Sequence, residues 1–314
     1  MGLLAAAPAL RLPAMRSQLR SSSGSSSNSA RLARRPPSHH DRTRVGVRGA
    51  AIITYAASKL SLIATGTSLP HPDKVAKGGE DAWFVRITAA GGGQMYVADG
   101  VGGFNEQGVD PGLYARVLTY EAAKAHEAMA RNPLSRPDPK RVIAMAQENT
   151  KLPGASTLCI IECDGTKIKA ANVGDTGFRV VRAGKVVFAS PPLQHYFNCP
   201  YQLAFEALTE DTDTAVDAET YEVTVQPGDL VIAGSDGLFD NVFDDEIASI
   251  ATAAVMSVRG AGALSAARAA SEALAAAARK HAEDPLYESP YAMEASKAKA
   301  GGGSGSGGTR SDDA

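Results

Sequence analysis

The chain has 314 residues, 44% of them hydrophobic and 21% charged, enough to bury a sizeable core in one large domain. Its net charge of −2 hides an asymmetry: residues 1–50 carry nine Arg and a single acid, +8, which leaves 23 basic and 33 acidic groups, −10, on the remainder. A mildly acidic body has no nucleic-acid footprint, and no run approaches the ~20 apolar residues of a spanning helix, so neither a nucleic-acid partner nor an integral membrane segment is expected.

Residues 1–50 are rich in Arg, Ala and Ser, hold no acid before Asp41, and include a Ser-rich tract over 21–29 without apolar periodicity. That is the composition of an organelle transit peptide, which plastid and mitochondrial addresses share; the alternative is a disordered basic tail for an anionic surface. Strand-like runs follow over 51–64 and 83–88. Asp110-Pro111 opens a helical pattern to about 130, with Leu113, Val117, Tyr120 and Lys124 at three- and four-residue steps. A Pro-rich break at 133–139 separates it from a second helix at 141–149. Runs at 156–162, 166–173, 177–182 and 185–189 are spaced for an antiparallel meander, with Asp164-Gly165 as a hairpin turn. An irregular insertion covers 191–218, and strands return at 219–226 and 229–234. Ala-rich helices follow near 244–257 and 262–282; their Arg259, Arg268, Arg279 and Lys280 point to helices lying on a sheet rather than in a bilayer. The order predicts an α+β layered domain.

Chemistry is concentrated where strands end. In Met95-Tyr96-Val97-Ala98-Asp99-Gly100-Val101-Gly102-Gly103 a mostly apolar run stops at an aspartate, and glycines turn the backbone away. A carboxylate fixed at the mouth of a buried strand is costly unless a cation meets it. Asp229-Leu230-Val231-Ile232-Ala233-Gly234 repeats the device and ends in Ser235-Asp236-Gly237, while Glu80-Asp81 stands after Gly78-Gly79 at the start of a strand. Each alone reads equally as a turn or as a ligand. Together they are the oxygen donors a hard divalent cation requires. Cys159, Cys163 and Cys199 lack metal-ligand spacing; in an extended run the first two stand about 13 Å apart at ~3.3 Å per residue, beyond disulfide reach, and read as packing residues.

Five stretches, Gly79-Glu80-Asp81, Val97-Ala98-Asp99-Gly100-Val101-Gly102-Gly103, Gly154-Ala155-Ser156-Thr157-Leu158, Ala171-Asn172-Val173-Gly174-Asp175 and Ser235-Asp236-Gly237-Leu238-Phe239-Asp240-Asn241, resemble in kind and order the metal-dependent protein phosphatases of the 2C type. His195-Tyr196-Phe197-Asn198-Cys199-Pro200-Tyr201-Gln202-Leu203, Asn241-Val242-Phe243-Asp244 and Glu288-Ser289-Pro290-Tyr291-Ala292 resemble the organellar branch, its plastid members acting on photosystem II core proteins most of all.

The resemblance implies a central antiparallel β-sandwich with helices on both outer faces over 51–300, a Gly/Ser-rich tail at 301–314, and an address for the chloroplast stroma or, alternatively, the mitochondrial matrix. It implies two Mn²⁺ or Mg²⁺ ions, with Asp99 bridging them, the Gly100 carbonyl and Glu80 on one, Asp236 on the other, and Asp81 bound directly or one step behind. The reaction it implies is hydrolysis of phosphoserine and phosphothreonine in a phosphoprotein substrate by a hydroxide shared between the ions, without a nucleophilic Ser or Cys, in a monomer. Asp175 reads as a structural turn residue.

Departures from the family's pattern carry expectations too. Val101 stands where many members have a His acid, which leaves metal-bound water or His195 as proton donor. The arginine that often grips phosphate a few residues before Glu-Asp is not evident, and Lys74 or Lys77 could supply the charge as a less directional donor. Asp312 matches the last metal ligand, but the final core strand that should follow it is missing, and a catalytically weak binding protein is the alternative that this absence raises. Two rival enzyme classes fail on their motifs. An aspartyl-phosphate enzyme needs a second Asp where Val101 stands, and a kinase metal loop at Asp236-Gly237 needs a glycine-rich nucleotide loop and strand lysine that do not precede it.

Overall fold

In the computed structural model, residues 60–89, 91–131, 136–205 and 212–301 are described, and all of them belong to one compact unit. The address segment at 1–50 and Asp312 lie outside the described residues. In chain order the elements are β1 (Asp81–Ile87), β2 (Gly93–Asp99), α1 (Pro111–Ala130), α2 (Pro139–Asn149), β3 (Ala155–Ser156), β4 (Leu158–Cys163), β5 (Lys167–Val173), β6 (Gly177–Arg182), β7 (Lys185–Ala189), β8 (Gln194–Tyr196), β9 (Cys199–Pro200), β10 (Leu203–Ala204), β11 (Glu219–Thr224), β12 (Leu230–Gly234), α3 (Asp236–Phe239), α4 (Asp244–Ser257), α5 (Ala263–Glu283) and α6 (Pro290–Gly301). Short 3₁₀ segments stand at Pro72–Lys77, Gly102–Gln107 and Ala215–Asp217.

Two sheets form a sandwich, one ordered β1-β2-β4-β5-β11 and the other β12-β6-β7, with every pairing antiparallel. Strand alternation sorts the side chains into three apolar layers. On β4, Leu158 and Ile160 face α1 and α2, meeting Tyr114, Leu118, Val142 and Ile143. Cys159 and Ile161 point the other way, toward Phe178 and Val180 of β6. The outer face of the smaller sheet, Val181 and Ile232, packs on Ile247 and Ala251 of α4 and on Leu274 of α5. The layers therefore run helix, sheet, sheet, helix, as the resemblance implied. Each fully buried Leu or Ile contributes about 1.5–3 kcal/mol to that stack.

The helix starts follow capping chemistry. The Asp110 carboxylate accepts from the Gly112 N–H at 3.0 Å with Pro111 in the first turn, and Asp138 accepts from the Lys140 and Arg141 N–H groups at 2.9 and 3.3 Å with Pro139 in the same place. The Ala-rich α5 buries Ala270, Leu274, Ala275 and Ala278, while its Arg279 reaches the carbonyls of Leu69 and Pro70 at 3.2 and 2.6 Å. Among the described residues no helix is long and apolar enough to cross a membrane.

Three expectations change. The described part of the 51–64 run, residues 60–64, is not a strand: the Leu60 and Leu62 N–H groups bond the Gly165 and Gly91 carbonyls of two hairpin turns and no ladder forms. The expected meander divides in two, because β4 and β5 stay in the larger sheet while β6 and β7 belong to the smaller one. The crossing is the turn at Gly174-Asp175-Thr176. The insertion at 191–218 is also less irregular than expected, holding the β8–β9 ribbon, the β10–β3 pair and one 3₁₀ turn.

Candidate metal centre

β1 and β2 pair in a register that sets Asp81 opposite Asp99. Both carboxylates thus leave the same end of the larger sheet. The motif at 154–158 holds Asp99 there by its backbone: the Ser156 hydroxyl and the Thr157 N–H donate to the Asp99 carbonyl at 2.8 and 2.9 Å, and the Asp99 N–H donates to the Thr157 hydroxyl at 3.2 Å. Gly100 follows because nothing larger fits. A Cβ there would stand 2.4 Å from the Pro111 carbonyl oxygen and 2.8 Å from that of Glu80, whose carbonyl takes the Gly100 N–H at 3.1 Å.

The second sheet delivers Asp236. β12 ends at Gly234, Ser235 turns the chain, and Asp236 begins the one-turn α3, braced by the Asn241 side chain donating to the Gly237 carbonyl at 3.0 Å. Its carboxylate converges on Asp81 and Asp99. Burial, then repulsion from Asp236, pushes the Asp81 carboxyl up to about 8. Asp99 is held well above the usual carboxylate range, first by burial and then by repulsion from Asp81 and Asp236, and it shares side-chain hydrogen bonds with both. Three acids facing one another in this way favour positive charge among them, a proton or a cation.

Sequence reasoning missed two members of this acidic end. Asp175, read as a turn residue, does occupy its turn: the Asn172 side chain donates to the Gly174 carbonyl at 2.9 Å, and Gly174 has φ +94°, open to glycine at little cost. Yet burial and repulsion from Asp236 push the Asp175 carboxyl up to about 6, and burial, Asp236 and Asp175 push Asp240 up to about 7. The signal for Asp240 was available, since it follows Asp236 by four residues on a helical turn.

Glu80, next to Asp81, has partners of its own. Its carboxylate is held by Lys74, which bonds Oε2, and by Asn105, whose Nδ2 donates to Oε1 at 2.6 Å. Asp81 is the member of the pair bonded to Asp99. His195 is turned to Asp213, Nε2 lying 3.0 Å from Oδ1, and packs on the Tyr201 ring.

Among the described residues no group of three His, Cys, Asp or Glu is spaced to close on an ion. The donor chemistry of the aspartates nevertheless fits hard divalent cations: oxygen only, buried, mutually repelling, and fixed by two sheet ends. Bound Mg²⁺ or Mn²⁺ would offset that repulsion.

Comparison with known proteins gives the family context. No family model matches the chain. The probable protein phosphatase 2C 26 of Arabidopsis thaliana is 42% identical over 238 residues, 76% of this chain and 74% of the relative. The probable protein phosphatase 2C 1 of Oryza sativa subsp. japonica is 39% identical over 278 residues, 86% of this chain and 77% of the relative. Among solved structures, the X-ray structure of the photosystem II phosphatase PBCP is similar with a TM-score of 0.63 and 39% identity, covering 73% of this chain and 83% of that one.

Proposed function

The chain belongs to the protein phosphatase 2C family, the serine/threonine phosphatases, and from that premise we propose that it hydrolyses phosphoserine and phosphothreonine in proteins with two Mn²⁺ or Mg²⁺ ions held by Asp99, Asp236, Asp81, Glu80 and the Gly100 carbonyl. The observation that carries this reading is the convergence of Asp81, Asp99 and Asp236 from two sheets on one buried point. Divalent ions bound there supply charge to neutralise the phosphate and lower the pKa of a water for in-line attack on phosphorus. The chain's own part is to fix those oxygens before substrate arrives. The Ser156–Thr157 backbone clamp sets Asp99, and the β1–β2 register sets Asp81 beside it. Asp175 and Asp240 add negative charge behind Asp236 and raise the site's appetite for cations.

The substrate we assign is a thylakoid phosphoprotein of the photosystem II core, reached from the chloroplast stroma. Two observations support it: the 39% identity to a photosystem II phosphatase and the Arg-rich, acid-poor composition of residues 1–50. Residues 51–300 form the phosphatase domain in this reading. Full-length protein is expected to release phosphate from a phosphothreonine peptide only when Mn²⁺ or Mg²⁺ is present, and Asp99→Asn to abolish that release; turnover in excess chelator would refute the mechanism. A fluorescent reporter fused behind residues 1–50 should enter plastids, and entry into mitochondria instead would remove the thylakoid assignment while leaving the chemistry.

A further inference from the structure

Glu80 is gripped from both sides. Lys74, in the 3₁₀ segment Pro72–Lys77, places its ammonium on Oε2, and Asn105, in the 3₁₀ segment Gly102–Gln107, holds Oε1 while also donating to the Gly102 carbonyl at 3.1 Å. The two partners differ in freedom. The Glu80 side chain is 13% exposed and Lys74 is 44% exposed. The segment that carries Lys74 buries none of its residues and closes on Gly78 at φ +81°. The neighbouring cations are otherwise engaged: Arg116 is tied to the Asp110 carboxylate and the Gly79 carbonyl at 3.1 and 3.4 Å, and Lys77 reaches only the Asn105 side chain at 3.5 Å.

Two consequences follow from charge alone. A divalent ion cannot take Glu80 Oε2 while an ammonium occupies it, so the two cations compete for one oxygen. An ammonium released from that oxygen stays on a flexible, 44% exposed stem beside Glu80, within reach of a phosphate drawn to ions bound there. Lysine serves phosphate as a point charge and needs no fixed fork geometry to do so.

We propose that Lys74 is an internal competitor which a divalent ion displaces from Glu80, and that the displaced ammonium then pairs with the phosphate of the substrate. This rests on reading the carboxylates as a metal site. Metal loading thereby arms phosphate binding, and of the two lysines preceding Glu80 only Lys74 has this role.

The test is calorimetric and uses the full chain as wild type, Lys74→Met and Lys77→Met. Mn²⁺ is titrated into each metal-free protein, and inorganic phosphate is then titrated into each Mn²⁺-loaded one. Lys74→Met should bind Mn²⁺ about threefold more tightly, the scale of a half-exposed ion pair that no longer competes. It should bind phosphate about tenfold more weakly, the scale of one lost charged hydrogen bond. Lys77→Met should match wild type in both titrations. Opposite shifts in one variant distinguish this role from a structural one, for which both affinities would drop. Unchanged or weaker Mn²⁺ binding by Lys74→Met overturns the proposal, and so does unchanged phosphate binding. If wild type takes up no Mn²⁺, the reading of the carboxylates as a metal site falls first, and the proposal falls with it.

Discussion

β12 carries an aspartate beyond each of its ends, and the two live under opposite conditions. Asp229, before the strand, has a side chain only 4% exposed, yet its carboxylate takes two bonds from the Arg182 guanidinium at 2.9 and 2.7 Å and a third from the Gln226 N–H at 2.8 Å. Those bonds outweigh desolvation and hold its carboxyl below the usual range. Asp236, past the other end, meets Asp81 and Asp99, and each of these is pushed upward. The sign of the neighbours sets the two ends apart. A buried acid with a guanidinium is finished structure, whereas a buried acid among acids is a site awaiting a cation.

The most forceful way to break this contrast is Asp99→Asn. Metal-dependent turnover of a phosphopeptide should drop by about a thousandfold or more, the scale of several kcal/mol of metal-borne stabilisation. The same substitution should raise the thermal midpoint of the metal-free protein at pH 8, since it removes a buried charge from a repelling group; a lower midpoint would contradict the electrostatics argued here.

Next comes pH. Asp81, Asp240 and Asp175 have folded-state values of about 8, 7 and 6 against 3.8 for the unfolded chain. Between about pH 4 and 8 the folded protein therefore binds more protons than the unfolded one, and its stability falls as pH rises through that window. The midpoint of chelator-treated protein should decline by several degrees from pH 5 to 8, and Mn²⁺ should flatten the slope. The Asp229 pair has the reverse sign: its contribution is present above the unfolded value and is lost only as pH falls through the lowered folded value.

Asp229→Ala sharpens the comparison from its quiet end. It should cost about 2 kcal/mol in urea unfolding by taking the carboxylate from Arg182, which keeps only the Thr224 carbonyl at 3.0 Å, while turnover per folded molecule is retained. Smallest of all, Thr157→Val removes the hydroxyl that receives the Asp99 N–H; about 1 kcal/mol of stability and a few-fold fall in kcat/KM are expected, with no change in the pH window.

What could be read from the residues divides along the same line. Asp99 and Asp236 stood out because an apolar run that stops at an aspartate followed by glycine is a local event, Asp81 because it follows Gly78-Gly79 at the head of a strand, and α1 because its Asp110-Pro111 cap is local too; the start of α2 at Pro139 was placed two residues late because Pro139 closes a Pro-rich stretch. The division of the meander was not legible. A short turn such as Gly174-Asp175-Thr176 serves equally for a hairpin or for a crossing, and the choice is made by partners far along the chain, β11 for β5 and β12 for β6. Residues 60–64 are apolar enough for a strand, but composition says nothing of whether a free sheet edge lies alongside. The grip of Lys74 on Glu80 was open for a related reason: two lysines precede the acid, and only the path of the 3₁₀ segment between them selects one.

Cys159 lies sealed between the two sheets, fully buried, its thiol pushed up to about 12 by that burial, whereas Cys163 and Cys199 are only partly covered. Alkylation needs the thiolate, so iodoacetamide should label Cys159 only when the sheets part. Its labelling rate, followed by mass spectrometry on the native enzyme, then times the opening of the sandwich without any engineered probe.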